Sequence, residues 1–278
     1  DSPVSENAVT AAAIGAAMTG MRPIVFHPRM DFMLLAVDPI VNQAANWSYL
    51  FEGRVPVPVV IRAVINRGGE QGAQHSQALH GMFAHIPGLK VVMPASAYDA
   101  KGLLIAATRD PNPVMYIDDR WLYDIEGEVP EEMYEIEIGR GVLRSQGDDL
   151  TIVALSNAAE LALRTVEQLS DVGIEAELID LRSIKPWDEE LVCGSVEKTG
   201  RLLVVDGGWR SFGAGAEIAA TVAEKAFYSL KAPVSRVCLP DTPAPTSKRL
   251  EEDYYLTPSE ITRVATALVR SAHHALAT

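Results

Sequence analysis

Residues 89–119 read LKVVMPASAYDAKGLLIAATRDPNPVMYIDD, and this stretch decides the fold. Residues 89–95 read as a strand, 96–109 as a helix with apolar residues at three-to-four spacing, and 113–119 as a second strand. A strand, a helix and a strand in that order make a parallel pair with a crossover between them. Upstream, RPIVFH (22–27) reads as a strand and DFMLLAVDPIVNQAANW (31–47) as a helix. The run PVPVVIRAVI (56–65) is rich in β-branched residues, as in a strand buried on both faces. Downstream, between Arg120 and Gly147, periodicity disappears and acidic residues dominate, so this stretch reads as a solvated linker.

Alternation resumes beyond the linker. Strands are expected at 149–156, 175–184, 201–208 and 233–239, with helices at 157–172, 186–199 and 213–227. Thr257, Pro258, Ser259 and Glu260 form a capping box with proline at the first helical position, which starts the last helix. The pattern is α/β: two three-layer domains with largely parallel sheets, covering 1–125 and 148–278, joined by an acidic linker at 126–147. The chain opens on a helix, with Ser5 as its N-cap and Gly20 at its end. Parallel α/β domains normally open on a strand, so the first domain is expected to lack its N-terminal strand.

The net charge of −13 over 278 residues and the lack of a basic run exclude a nucleic-acid binder. No apolar run reaches the roughly 18–20 residues of a membrane span, and no signal peptide is visible. The two cysteines, Cys193 and Cys238, lie far apart without metal-type spacing. A reducing compartment is expected, the cytoplasm or, in a eukaryote, the mitochondrial matrix.

Three of the six histidines fall within GAQHSQALHGMFAHIPG (72–88). Residues five apart on a helix differ by about 140° in direction, so His75, His80 and His85 do not form a zinc face. His80 and His85 read as half-buried or surface residues. His75 follows the glycine-rich RGGEQGAQ and is expected near a helix N-terminus, where a neutral imidazole is favoured as a proton donor or acceptor.

The motifs DSPVSE, GAQHSQ, HIPGLKVVMPASAYDAKGLL, RDPNPVMYI and DGGWRSFGAGAEI occur in that order along the chain. Together they resemble the beta subunit of the thiamine-diphosphate-dependent first component of 2-oxoacid dehydrogenase complexes, of the pyruvate, branched-chain and acetoin type. The resemblance implies a transketolase-like pyrimidine-binding domain followed by a transketolase-like C-terminal domain. It also implies thiamine diphosphate as cofactor. Glu6 matches the glutamate that shares a proton with the aminopyrimidine ring, and Phe32 the aromatic that packs on that ring. His75 matches the histidine that manages protons on the substrate side and during acyl transfer to a lipoyl arm. Val59, Ala107, Asp110 and Asn112 match positions that bind a monovalent cation, potassium, mostly through backbone carbonyls.

The family's diphosphate and magnesium motif, GDG with a later asparagine, is absent here. The resemblance therefore implies an alpha partner that carries it, self-association of beta chains in a heterotetramer, and a lipoyl acyltransferase as acceptor. His27, Arg29 and Asp31 stand before Phe32, where many relatives are apolar or aromatic, which implies a different substrate pocket. Trp209 and Phe212 read as anchors of a subunit contact. Two other readings are a split transketolase-like or acetoin-cleaving lyase or ligase without a lipoyl partner, and a non-catalytic scaffold subunit.

Overall fold

The computed structural model describes residues 2–274. The first half contains α1 (Glu6–Met18), β1 (Ile24–His27), α2 (Asn46–Leu50), β2 (Val60–Ile65), α3 (His80–Ala84), β3 (Lys90–Val92), α4 (Ala97–Arg109) and β4 (Val114–Asp119). The second contains β5 (Val142–Ser145), β6 (Leu150–Ala154), α5 (Asn157–Ser170), β7 (Ala176–Asp180), β8 (Ser183–Lys185), α6 (Glu189–Thr199) and β9 (Leu202–Trp209). It ends with α7 (Ala214–Lys225), β10 (Ser235–Leu239), α8 (Lys248–Tyr254) and α9 (Pro258–His274).

The opening quotation folds as a strand, helix and strand, with β3 and β4 parallel. Ser96 starts α4 by accepting a hydrogen bond from the Asp99 N–H at 3.1 Å. One five-stranded sheet runs β1-β2-β4-β3-β8, the other β10-β9-β6-β7-β5. Pairing is parallel except at the two edges, where β8 runs antiparallel to β3 and β5 antiparallel to β7. Strands β2 and β4 are almost wholly buried, as their β-branched sequences require. Truncating a core residue such as Met115 or Ile117 would cost about 2–5 kcal/mol.

The two halves share a core. Ile61, Val91 and Met115 of the first half pack in one apolar cluster with Ile179, Val192, Val204 and Ile218 of the second. The residues expected as one strand at 175–184 divide between the sheets. Strand β7 stays in the second sheet, Arg182 turns the chain at φ 60°, and β8 joins the edge of the first. The Arg182 backbone is held on both sides, its N–H by Asp180 Oδ1 at 3.1 Å and its carbonyl by the Met93 N–H at 2.7 Å, and its guanidinium lies 2.7 Å from buried Asp99 of α4. Residues 32–50 are helical but not one regular α-helix. They begin as a 3-10 turn (Phe32–Ala36) and widen to a π-helix (Pro39–Ala45) that opens on Pro39, at a position where a missing N–H leaves no bond of that helix unmade.

The acids of the stretch are solvated as expected: Asp124, Glu126, Glu128, Glu131, Glu132, Glu135 and Glu137 are exposed, and it is the two aspartates just before it that are not. Asp118 and Asp119 are buried, paired with Arg62 at 2.6 Å and Arg67 at 2.7 Å. Beyond them the chain straps α4: Tyr134 stacks on Tyr98 at 4.5 Å, and Ile136 packs beside Leu103. Strand β5, also within 126–147, forms an edge of the second sheet.

Candidate functional site

Parallel strands bring their carboxyl ends to one side, where α/β proteins bind ligands. The turn after β1 is pinned there to the end of β2. The Met30 N–H donates to the Val64 carbonyl at 2.9 Å, and Asn66 Nδ2 donates to the Pro28 carbonyl at 3.2 Å. Helix α1 packs alongside, and a cleft of about 660 Å³ opens at this edge, lined by Glu6, Val9, His27, Arg29 and Phe32 among others. That volume falls in the range of small-molecule sites.

Glu6 occupies the first turn of α1, where the helix dipole favours a carboxylate. Ser5 stands at the N-cap position but makes no capping bond. Glu6 is half-buried and accepts no hydrogen bond from the described residues. Its field reaches His27, which is buried and bonded through Nε2 to Thr10 Oγ1 at 3.1 Å. Burial lowers the His27 pKa, with the Glu6 charge acting the other way, so His27 is a neutral wall of the cleft. Phe32 is 41% exposed, which leaves part of its ring free to stack. Its ring meets the His75 imidazole edge-on, centroids 5.4 Å apart at 90°. The structure thus brings together Glu6, Phe32 and His75, three residues far apart in sequence.

His75 differs from expectation in its local setting. It sits in a bend, and the helix begins only at His80. Gly68, Gly69, Glu70 and Gly72 all take positive φ, between 60° and 71°, which folds the chain into a tight loop just before His75. Asp31 Oδ1 then accepts bonds from the Gln77 N–H at 3.1 Å and Gln77 Nε2 at 3.0 Å, holding 76–79 in an irregular path. The helix-dipole argument for His75 therefore lapses, and contact with Phe32 positions its ring instead.

His80 is neither half-buried nor superficial. It is 1% exposed, and its Nε2 meets Asp206 Oδ1 of β9 at 2.8 Å. Asp206 also accepts N–H bonds from Gly208 at 2.9 Å and Gly215 at 3.2 Å. Burial alone would raise the Asp206 pKa; attraction to His80 and these hydrogen bonds outweigh it and hold the group down to about 2. His85 is exposed and closes the short α3, the surface position expected of it.

Two residues that carry no sequence motif anchor the loop bearing His75. Both carboxylate oxygens of buried Glu251 accept the Glu70 N–H at 3.1 Å. Arg67, paired with Asp119, also donates through Nη1 to the Gly207 carbonyl at 2.8 Å. Trp209 serves inside the chain: its Nε1 donates to the Thr242 carbonyl at 3.0 Å and the Tyr254 hydroxyl at 3.1 Å. Phe212 is fully exposed, at φ 56°.

Val59, Ala107, Asp110 and Asn112 lie at the opposite end of the sheet, around the C-terminal end of α4 and the amino ends of β2 and β4. A helix C-terminus favours a cation there. Several of the oxygens already accept bonds: the Val59 carbonyl from the Val114 N–H at 3.0 Å, and the Asp110 carbonyl from Arg22 Nη1 at 3.2 Å. The Asp110 carboxylate takes Lys90 Nζ and, at 2.9 Å, the Asn112 N–H. An ion there would share oxygens with two side-chain cations.

Comparison with known proteins agrees with this arrangement. Residues 1–124 match the transketolase pyrimidine-binding domain family, and residues 139–261 the transketolase C-terminal domain family. The chain is 45% identical over 274 residues to the beta subunit of acetoin:2,6-dichlorophenolindophenol oxidoreductase from Cupriavidus necator, covering 99% of this chain and 81% of that one. It is 42% identical over 269 residues to the Bacillus subtilis protein of the same name, covering 97% and 79%. It is 42% identical over 258 residues to the mitochondrial pyruvate dehydrogenase E1 component subunit beta of Bos taurus, covering 91% and 72%. Among solved structures, an inactive beta4 tetramer of a split-gene transketolase superposes with a TM-score of 0.79 at 24% identity, covering 96% of this chain and 82% of that one, which is a likeness of fold. The chain therefore belongs to the transketolase-like family of beta subunits found in the first components of 2-oxoacid and acetoin dehydrogenases.

Proposed function

We propose that this chain is the beta subunit of a thiamine-diphosphate-dependent 2-oxoacid dehydrogenase component and supplies the aminopyrimidine side of its active site. The observation that carries the reading is the convergence of Glu6 and Phe32 on one cleft with His75 against Phe32. The donor set fits the cofactor's aminopyrimidine: a carboxylate free of other hydrogen bonds at a helix N-terminus, and a partly exposed aromatic ring. When bound, thiamine diphosphate supplies the carbon nucleophile that attacks the substrate ketone. Glu6 holds and returns a proton at the pyrimidine ring nitrogen. Phe32 packs on the ring and keeps water from it. His75 moves protons on the substrate side and during acyl transfer to a lipoyl carrier.

An alpha partner supplies the diphosphate and magnesium contacts, and two alpha and two beta chains form the working assembly, which docks on a lipoyl acyltransferase. The first functional unit is 1–125, the second 148–278, with 126–147 between them. Potassium at the carbonyls of Val59, Ala107, Asp110 and Asn112 stiffens the end of the sheet away from the cleft. The assembly works in the cytoplasm, or in the mitochondrial matrix of a eukaryote. Among the described residues no helix is long and apolar enough to cross a membrane.

The test is Glu6→Gln in the assembly reconstituted with its alpha partner. The amide cannot take up the ring proton, so deuterium exchange at the thiazolium carbon should slow by at least about 100-fold. Exchange at the wild-type rate would overturn the assignment of Glu6.

A further inference from the structure

The cleft contains a cation that the rest of the described chain does not neutralise. Arg29 follows the carboxyl end of β1 and lines the cleft with Glu6 and Phe32. Its hydrogen-bond partner among the described residues is a neutral amide: Nη2 donates to Gln71 Oε1 at 2.9 Å. Its Nε is buried and donates to nothing. Arg62, Arg67 and Arg182 face Asp118, Asp119 and Asp99, whereas Arg29 faces no carboxylate. The acid nearest in sequence, Asp31, directs Oδ1 to Gln77, and its Oδ2 is buried without a partner. A partly desolvated guanidinium with an idle buried donor is costly unless an acceptor completes it.

Gln71 sharpens the point. Arginine only donates, so the amide atom facing it must be the oxygen. With Oε1 turned to Arg29, the Gln71 amide fixes the direction of the guanidinium without neutralising it. Both residues are anchored by backbone. Met30 and Pro28, on either side of Arg29, are bonded to the end of β2, and Glu70, before Gln71, is bonded to Glu251. The result is a guanidinium preorganised at the wall of the cleft, three residues before Phe32. A guanidinium fork matches a carboxylate in shape and charge, and a neutral hydroxyketone cannot complete it in the same way.

We propose that Arg29, oriented by Gln71, binds the substrate's carboxylate, so that this half-site selects a 2-oxoacid anion over a neutral hydroxyketone such as acetoin. The proposal rests on the function inferred above and goes beyond it, because the similar proteins include both acetoin and pyruvate enzymes by name.

The test uses the assembly reconstituted with its alpha partner and cofactor, as wild type, Arg29→Met, Arg29→Lys and Gln71→Leu. Binding of oxamate, an unreactive isostere of pyruvate, is measured by calorimetry. The ratio of kcat/KM for pyruvate to that for acetoin is measured in parallel, with 2-oxoglutarate to show whether the carboxylate recognised is the one beside the ketone or a distal one. Arg29→Met should weaken oxamate binding about 10- to 100-fold, the range for a lost hydrogen bond to a charged group. It should lower the pyruvate-to-acetoin ratio by a similar factor, mainly through KM. Arg29→Lys, a point charge without the fork, and Gln71→Leu should fall between Met and wild type. Unchanged oxamate affinity in Arg29→Met, equal losses on pyruvate and acetoin, or a wild type that turns over acetoin but no 2-oxoacid would each overturn the proposal. Thiazolium exchange in the wild type measures the underlying function separately: its absence would sink that reading, while oxamate binding would still report on Arg29.

Discussion

Replacing His80 by alanine would leave Asp206 ionised, 1% exposed and supported only by the N–H groups of Gly208 and Gly215. The cost follows from the geometry. His80 is the largest of the groups that hold the Asp206 pKa at about 2 instead of its ordinary 3.8, with the Gly208 and Gly215 N–H groups sharing the work; the whole depression is worth about 2–3 kcal/mol at neutral pH and His80 accounts for most of it. Truncation also leaves a ring-sized void between α3 and β9, adding about 1–2 kcal/mol. The total, about 3–5 kcal/mol, is the range for removing one partner of a buried pair. In a chain of this length that lowers the melting temperature by roughly 6–15 °C. The pH dependence has a definite sign. A depressed carboxylate pKa gives stability that is complete above 3.8 and disappears as pH falls through about 2. The gap between wild type and variant should therefore be widest at pH 7 and narrow below pH 4. Melting of both proteins, followed by circular dichroism at pH 7 and pH 3, measures it, with His80→Gln as a neutral donor that restores part of the loss. A gap under about 2 °C at pH 7, or one that widens on acidification, would refute the reasoning.

Other perturbations test other parts of the structure. His75→Ala should leave cofactor affinity within a few-fold by calorimetry and reduce acyl transfer to a lipoyl acceptor by about 100-fold; equal losses in both would make His75 a structural residue. Asp180 is fully buried, and burial first, then repulsion from Asp99, pushes its pKa up to about 7. A raised acid pKa gives stability that is present at low pH and lost as pH rises through about 7, so Asp180→Asn should gain up to about 4 kcal/mol above pH 7 and little near pH 4, read from denaturant titrations at both values. Gly88 has φ 89°, and a Cβ there would lie 2.0 Å from the Ala45 carbonyl oxygen, so Gly88→Ala should abolish soluble, cooperatively folding protein.

The sequence shows most where the cause is local. The strand-helix-strand unit at 89–119, the buried run at 60–65 and the capped start of α9 all rest on neighbouring residues. In that cap the Glu260 N–H donates to Thr257 Oγ1 at 3.2 Å, as the motif predicts. Glu6 and Phe32 were found by resemblance to a family, and their shared cleft could not be read from spacing. Features set by distant residues stayed hidden. His80 is buried because Asp206, 126 positions away, receives it. The strand expected at 175–184 breaks at Arg182, whose N–H is taken by Asp180 Oδ1 at 3.1 Å, a local signal that the β-branched pattern around it outweighs, and whose guanidinium then meets Asp99 on another element. The helical reading of His75 failed because Asp31, 46 positions before Gln77, takes the Gln77 N–H and Nε2, and the helix begins only at His80.

These distant contacts explain how a loop with so many left-handed residues can position His75. A loop with positive φ at Gly68, Gly69, Glu70 and Gly72 carries little intrinsic order, and Glu70 is strained as a non-glycine. Order is imposed from the second half of the chain. Glu251 clamps the Glu70 N–H, Arg67 reaches the Gly207 carbonyl before the loop, and the His80–Asp206 pair fixes the chain after it. Each tie joins the loop to β9 or α8, whereas Glu6 and Phe32 belong to the first half alone. The second half therefore works as a rigid backing that sets where Gln71 and His75 stand relative to Phe32. On this argument, variants at Glu251 or Asp206 act on turnover through the loop, although neither residue lines the cleft, and their effect on KM and kcat should follow the position of His75 and not the shape of the pyrimidine wall.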